Sequence, residues 1–217
     1  MIIAFEGVDG AGKNTLVTAV EAELMAREVP VARVGFPRYE DSVHAALAQR
    51  ALYGQMGDLL DSIHGMATLF ALDRAEVAGE LEDLGGDGYV VLLDRYVASN
   101  AAYSAARAGQ DRAAETRDWV ADLEFEQLGS PEPELQVLVD LDAAAAQERA
   151  AGREAADAAR ARDAYEKDST LQERTVAAYR ELAELNWVSP WRVVDSADGD
   201  VQARAVALAD VICDMRR

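Results

Sequence analysis

Several things are scarce in this chain, and each scarcity excludes something. Cys213 is its one cysteine, so there is no intrachain disulfide and no thiolate cluster for zinc, and a reducing compartment is the expectation. No apolar run approaches the roughly 20 residues that a membrane-spanning helix needs, which excludes a helical membrane protein. The opening Met1-Ile2-Ile3-Ala4-Phe5-Glu6 lacks the basic segment, long apolar stretch and cleavage site of a secretory signal, so a cytoplasmic location is expected. Positive charge is short as well: 21 Lys and Arg stand against 40 Asp and Glu, a formal charge of −19. Sequence-independent attraction to nucleic acid or to an anionic membrane is therefore disfavoured, because it depends on cationic side chains displacing counterions. Any nucleotide bound is expected to be a small one. Among the basic residues only Lys13 and Lys167 are lysines, which draws attention to position 13.

Half of the 217 residues are hydrophobic, enough for one sizeable core, and no repeat or Pro- or Ser-rich linker divides the chain. A single domain over 1–217 is expected. Short apolar runs alternate with segments of helical period, which predicts an α/β layer fold: a central parallel sheet of about five strands with helices on both faces. The runs are Ile2 to Glu6, Val31 to Phe36, Tyr89 to Asp94, Leu135 to Asp140 and Arg192 to Asp195. Near-continuous apolar runs suit strands covered on both faces. Leu16, Val20 and Leu24 recur one turn apart, and Leu59, Ile63, Met66, Phe70, Val77 and Leu81 keep a three- and four-residue rhythm, so both sets read as core-facing helix stripes.

The regularity breaks first at Gly7-Val8-Asp9-Gly10-Ala11-Gly12-Lys13. This is the G-x-x-x-x-G-K phosphate loop, placed between a strand and a helix as the motif requires. Its glycines let the backbone take positive φ and approach an anion, so that successive N–H groups cradle phosphates at the positive end of the helix. Lys13 can then reach oxygens between donor and acceptor. The motif normally ends in a Ser or Thr that ligates Mg²⁺, but Asn14 stands there and the hydroxyl comes one residue later, at Thr15. The metal ligand stays open between the Asn14 amide oxygen, Thr15 and a carboxylate such as Asp9 or Asp94.

Asp94-Arg95-Tyr96 ends the third apolar run, which places a carboxylate and a guanidinium at the carboxyl edge of a sheet, where open α/β folds bind ligands. Arg95 can clamp a phosphate in bidentate fashion, and Asp94 can hold metal-bound water. Asn100 and Tyr103 share one helix face, and Phe70 and Arg74 share another. An aromatic ring, an arginine and an amide make a nucleobase pocket. Taken one at a time, Phe70 reads as core and Arg74 as a solvated charge; the phosphate loop is what raises the set.

The phosphate loop, Phe36-Pro37-Arg38-Tyr39, Ala67-Thr68-Leu69-Phe70-Ala71-Leu72-Asp73-Arg74, Asp94-Arg95-Tyr96-Val97-Ala98-Ser99-Asn100-Ala101-Ala102-Tyr103 and Ala161-Arg162-Asp163-Ala164-Tyr165-Glu166 together resemble, in wording and order, the motifs of the thymidylate kinases. The wording is closest to mycobacterial and other actinobacterial members. The resemblance implies a P-loop NTPase-like three-layer fold, usually a homodimer, that transfers the γ-phosphoryl of ATP to dTMP with Mg²⁺. It also implies roles. Gly7, Gly10, Ala11, Gly12, Lys13, Asn14 and Thr15 would bind ATP. Phe70 would stack on thymine with Phe36 beside it, Arg74 would bond O4, and Asn100 would meet the N3 edge. Tyr39 and Arg95 would hold the dTMP phosphate. Asp9 would meet the 3′-hydroxyl or the metal shell, and Tyr103 would fill the room of a ribose 2′-hydroxyl. Asp163, Tyr165 and Glu166 would form a closing segment, Glu166 reaching phosphate or metal through water.

The second break in regularity, Ala143 to Arg162, is Ala-rich and carries Arg149, Arg153, Arg160 and Arg162. By resemblance it is a helical lid over ATP. Arginine follows the loop lysine in mycobacterial relatives, where Asn14 stands here, so the catalytic cation is assigned to the lid: chiefly Arg153, supported by Arg149 and Arg160. Arg162 reads as a solvated charge. With Lys13, Arg95 and Asp9 this completes the expected catalytic set. No general base is needed, since the attacking atom is an already ionised phosphate oxygen, and His44 and His64 fall outside every motif. The rivals are another small P-loop nucleoside or nucleoside-monophosphate kinase, and a nucleotide-driven switch with no acceptor substrate.

Overall fold

The structure, a computed structural model, describes residues 1–156, 162–197 and 199–217, with the backbone alone at 150, 151 and 153–156. Five parallel strands, β1 (Ile2–Glu6), β2 (Val31–Gly35), β3 (Val90–Asp94), β4 (Leu135–Asp140) and β5 (Trp191–Asp195), form one sheet in the order β2-β3-β1-β4-β5. All five lie within a residue of the apolar runs. The three central strands are buried along nearly their whole length, whereas the edge strands β2 and β5 are largely part-exposed. That gradient is what a sheet covered on both faces produces.

Helix α1 (Lys13–Ala26) packs against α10 (Val201–Met215), while α5 (Val97–Ala108) packs against α6 (Gln110–Ala121) and α9 (Ser169–Glu184). Leu16, Val20 and Leu24 are buried, with Val17 added. A smaller core forms between α2 (Val43–Leu52) and α3 (Ile63–Ala75), where Ala48, Leu52 and Met66 are buried and Phe70 packs from the side. The long rhythm from Leu59 to Leu81 is not one helix. Gly57–Asp61 is a 3₁₀ turn, Ser62 caps α3 by accepting from the Gly65 N–H at 3.0 Å, and α4 (Ala78–Gly86) starts afresh after Val77. A serine side chain able to satisfy the first free N–H groups starts a new helix wherever the chain can bend.

Two features place the site. β1 pairs with β3 with Phe5 opposite Asp94, so the loop after β1 and the Asp94-Arg95 corner leave the sheet side by side. After α6 the chain widens into a π-helical turn, Asp122–Gln127, sealed by the Leu128 N–H on the Leu123 carbonyl at 3.0 Å. The Ala-rich segment follows β4 as α7 (Ala143–Ala156), and α8 (Ala164–Lys167) leads into α9.

Candidate active site

Gly7, Gly10 and Gly12 have φ of +139°, +90° and +95°, backbone that side-chain-bearing residues enter only at a cost. Gly7 and Gly10 also lack space for one: a Cβ would lie 2.6 Å from the Val139 carbonyl oxygen and 2.2 Å from that of Ala146. The loop is thus wedged between β4 and α7. Lys13, Asn14 and Thr15, the first turn of α1, form the wall of a cleft of about 700 Å³. The Lys13 ammonium is buried and donates to the Gly7 and Val8 carbonyls at 2.9 and 3.0 Å. Burial, and then the Arg95 charge, push its pKa down to about 8 against the pull of Asp9, Asp94 and Glu6.

Arg95 sits at φ +67°, a strained conformation for a non-glycine residue and one that concentrates at functional sites. Its Nη1 donates to the Gly7 carbonyl at 3.0 Å, to Ser99 Oγ at 3.2 Å and to the Tyr179 hydroxyl at 3.3 Å. Its Nη2 is 2.8 Å from Asp9 Oδ2, yet among the described residues no acceptor meets that buried nitrogen with hydrogen-bond geometry. The two observations agree if the Asp9 contact is a misaligned charge pair, which leaves Nη2 able to donate to a phosphate. Glu6 underlies this corner. Fully buried, it accepts from the Tyr96 N–H at 2.8 Å and from Ser99 Oγ at 2.6 Å. Its burial raises its pKa, with the Ser99 bond and the Arg95 charge opposing.

A second cavity opens on the other side of Arg95. Phe36 from the end of β2, Phe70 and Arg74 from α3, and Asn100 and Tyr103 from α5 line it, and it shares Asp9, Tyr39, Arg95 and Asp163 with the phosphate cleft. The helix-face pairings expected from spacing therefore meet in space. Arg74 and Asn100 are both buried and both held by one carboxylate that no motif flagged, Glu124 in the π turn: Arg74 Nε and Nη2 donate to it at 2.5 and 2.6 Å, and Asn100 Nδ2 at 2.7 Å. Asn100 Nδ2 donates also to the Ala67 carbonyl at 3.0 Å. The Tyr103 ring lies 5.7 Å from the Arg95 guanidinium and stacks on Tyr165 at 5.8 Å. Burial raises the pKa of Tyr39 and Tyr103, and that of Tyr165 to about 12. All three phenols are thus neutral donors at physiological pH.

Comparison with known proteins agrees with this geometry. A family model described as thymidylate kinase matches residues 5–195. The thymidylate kinase of Mycobacterium tuberculosis is 50% identical over 209 residues, 96% of this chain and 97% of that one. This chain belongs to the thymidylate kinase family. The thymidylate kinase of Bifidobacterium longum is 30% identical over 97% of both chains. A solved thymidylate kinase from Candida albicans superimposes with a TM-score of 0.73 over 99% of this chain and 92% of its own, at 21% identity, a likeness of fold.

As a thymidylate kinase the chain carries several departures from its sequence-based reading. The Asn14 amide oxygen, one of the metal-ligand options, is engaged by Arg33 Nη2. Arg33 comes from β2, outside every motif; its Nη1 donates to Thr18 Oγ1 at 2.9 Å, and Nη2 lies 3.9 Å from Asp94 Oδ2. Arg33 thus brings a cation to the first turns of α1, from a strand that β3 separates from β1. Arg149 lies on the part of α7 whose side chains are described. It donates to Ser196 Oγ at 3.1 Å, and Ser196 in turn donates to the Ala11 carbonyl, so Arg149 docks on the rim of the phosphate loop. The side chain of Arg153 and all of Arg160 lie outside the described residues. Arg162, read as a solvated charge, is partly exposed and lines the phosphate cleft just ahead of α8.

In the closing segment Asp163 and Glu166 form a capping box on α8: the Glu166 N–H donates to Asp163 Oδ1 at 2.9 Å and the Asp163 N–H to Glu166 Oε2 at 3.0 Å. Burial, and repulsion from Asp9, raise the pKa of both. Neither histidine enters the cleft. His44 Nδ1 pairs with Glu76 at 2.6 Å, and His64 meets Trp119 edge-on at 4.5 Å.

Proposed function

We propose that the two joined cavities divide the family reaction, transfer of the γ-phosphoryl of ATP to dTMP giving dTDP, between an ATP half on the phosphate loop and a dTMP half on α3 and α5. The observation that carries this reading is the place of Arg95: one guanidinium bonded to the Gly7 carbonyl of the loop and bordering both cavities. Loop glycines and Lys13 hold the donor phosphates, with Asn14 and Thr15 beside them and Arg149 at the rim. Tyr39 and Arg95 hold the acceptor phosphate. Phe70 and Phe36 sandwich the thymine, Arg74 and Asn100 read its polar edge, and Tyr103 closes the sugar side. Phosphoryl transfer needs in-line placement and cationic compensation more than covalent help. Lys13, Arg95 and a lid arginine, Arg153 or the cleft-lining Arg162, supply both.

Magnesium fits the donor set. Asp9, Asp94, Asp163 and Glu166 line the phosphate cleft as hard oxygen donors, and the repulsion among Asp9, Asp163 and Glu166 is of the kind a divalent ion relieves. No group of three or more such side chains among the described residues is arranged to hold a metal by itself. That suits an ion that keeps its waters and borrows phosphate oxygens. Bound there, it would neutralise charge on the donor phosphates. A single-domain homodimer in the cytoplasm completes the reading, as the family resemblance and the lone cysteine suggest.

Coupled assay of ADP release against a panel of nucleoside monophosphates tests the assignment. Turnover with dTMP, weaker turnover with dUMP and little with purines is the expected result; acceptor-independent hydrolysis would leave a nucleotide switch. A second test uses pH. With Lys13 depressed to about 8, the free enzyme loses this cation as pH rises through that value. The kcat/KM for ATP should therefore fall along an alkaline limb near pH 8, while the limb in kcat lies higher because bound phosphates hold the proton on the amine. A kcat/KM profile that stays level through that limb would take Lys13 off the donor phosphates.

A further inference from the structure

Glu124 is wholly buried, belongs to no recognised motif, and sits where α6 widens into a π turn, a local expansion that recurs at functional sites. Its three short contacts fix more than position. Asn100 has two amide hydrogens, and both are spent, one on Glu124 and one on the Ala67 carbonyl. What it can still offer the cavity is its amide oxygen, which takes only a long 3.4 Å contact from Ser104. Turning the amide over would set that oxygen against the Glu124 carboxylate. Arg74 spends Nε and one Nη2 hydrogen on Glu124, so its remaining N–H groups, all donors, are what it can present.

We propose that Glu124 is the residue that sets base specificity, acting as a positioning residue that never touches substrate. By locking Asn100 as an acceptor beside Arg74 as a donor, it makes the pocket complementary to a 4-keto pyrimidine with a protonated N3. Cytosine presents the reverse pattern, an acceptor at N3 and an amino group at C4, and meets both partners with the wrong polarity. This rests on the assignment of Arg74 and Asn100 to the base made above.

Two variants test it. Oε1 of Glu124 takes both Arg74 Nη2 and Asn100 while Oε2 takes Arg74 Nε, so Glu124→Gln sets its NH₂ against either Arg74 Nε or, turned over, Asn100, and loses the carboxylate that holds both. Glu124→Asp keeps the charge that compensates the buried Arg74 but is too short to reach Asn100 as well. In both, the ratio of kcat/KM for dTMP over dCMP should fall by about 10- to 100-fold, the worth of one or two buried hydrogen bonds. The change should appear mainly as a raised KM for dTMP, with KM for ATP unchanged. Asn100→Ala should lose discrimination to a similar extent, and adding Glu124→Gln to it should change the ratio little further. A folded Glu124 variant that keeps the wild-type ratio while Asn100→Ala loses it overturns the proposal. If Asn100→Ala and Arg74→Ala both leave the ratio alone, the base assignment itself has failed. The unmutated protein gives an independent reading: in ¹⁵N-labelled enzyme both hydrogens of the Asn100 side-chain amide should be protected from solvent exchange, and a rapidly exchanging pair would also refute the lock.

Discussion

Lys13→Ala is expected to lower kcat by about 10²–10³-fold, the scale of removing one preorganised donor from a site of developing charge, while KM for dTMP changes little. The asymmetry follows from where the amine sits. It is buried against the Gly7 and Val8 carbonyls on the ATP side of the cleft, and it does not line the cavity that holds Phe70, Arg74 and Asn100. As charge shifts between the donor and acceptor oxygens, a desolvated ammonium aligned in advance gains strength without reorganising solvent. Arginine at this position is not expected to restore activity, since the guanidinium is not a compact point charge. Steady-state kinetics with each substrate varied in turn checks the prediction. A dTMP KM that rises in step with the fall in kcat would place Lys13 on the acceptor instead.

Arg95→Ala should do more harm, because it removes the described cation that lines both halves. Truncating one member of a desolvated charge pair costs about 2–5 kcal/mol, or roughly 30- to 5,000-fold in kcat/KM for dTMP. The loss should appear in kcat as well as in KM, since the guanidinium both holds the acceptor phosphate and fixes the carbonyl of Gly7. Asp9 would also lose its cationic neighbour at 2.8 Å, which adds a repulsive carboxylate to the seat of the dTMP phosphate. Arg95→Lys should recover only part of the activity: an ammonium can meet the phosphate but cannot at the same time reach Gly7, Ser99 and Tyr179. If Arg95→Ala raised only the KM for ATP, the clamp would belong to the donor and the two cavities would have to be exchanged.

The site residues divide by how their signal is carried. Gly7, Gly10 and Gly12 are legible because each meets a backbone demand set within a few residues, and a strand, a glycine-rich turn and a lysine in order leave little else to build. The five strands are legible for a similar reason: residues buried on both faces have to be apolar in succession. Phe70 with Arg74 and Asn100 with Tyr103 follow from helix spacing once a phosphate loop has raised the prospect of a nucleotide. Glu124, Glu6, Arg33 and Tyr179 show no such signal. Glu124 is one carboxylate among 40 acidic residues, and only its burial against Arg74 and Asn100 distinguishes it. Arg162 lines the phosphate cleft, a placement that a charge on a polar stretch does not announce.

Taken alone, the sequence determined the chemistry of the phosphate loop, the alternation of strands and helices and, through its motifs, the family, because these depend on contacts between residues close in the chain or on side-chain type itself. The tertiary structure decided which groups act together. Pairing of β1 with β3 brings the loop and Arg95 to one edge, the residues that lead into α8 put Arg162 in the cleft, and a π turn delivers Glu124 against Arg74 and Asn100. Each of these joins residues from about 20 to about 150 positions apart, and what selects them is the packing of a whole core, which no local pattern of residues encodes.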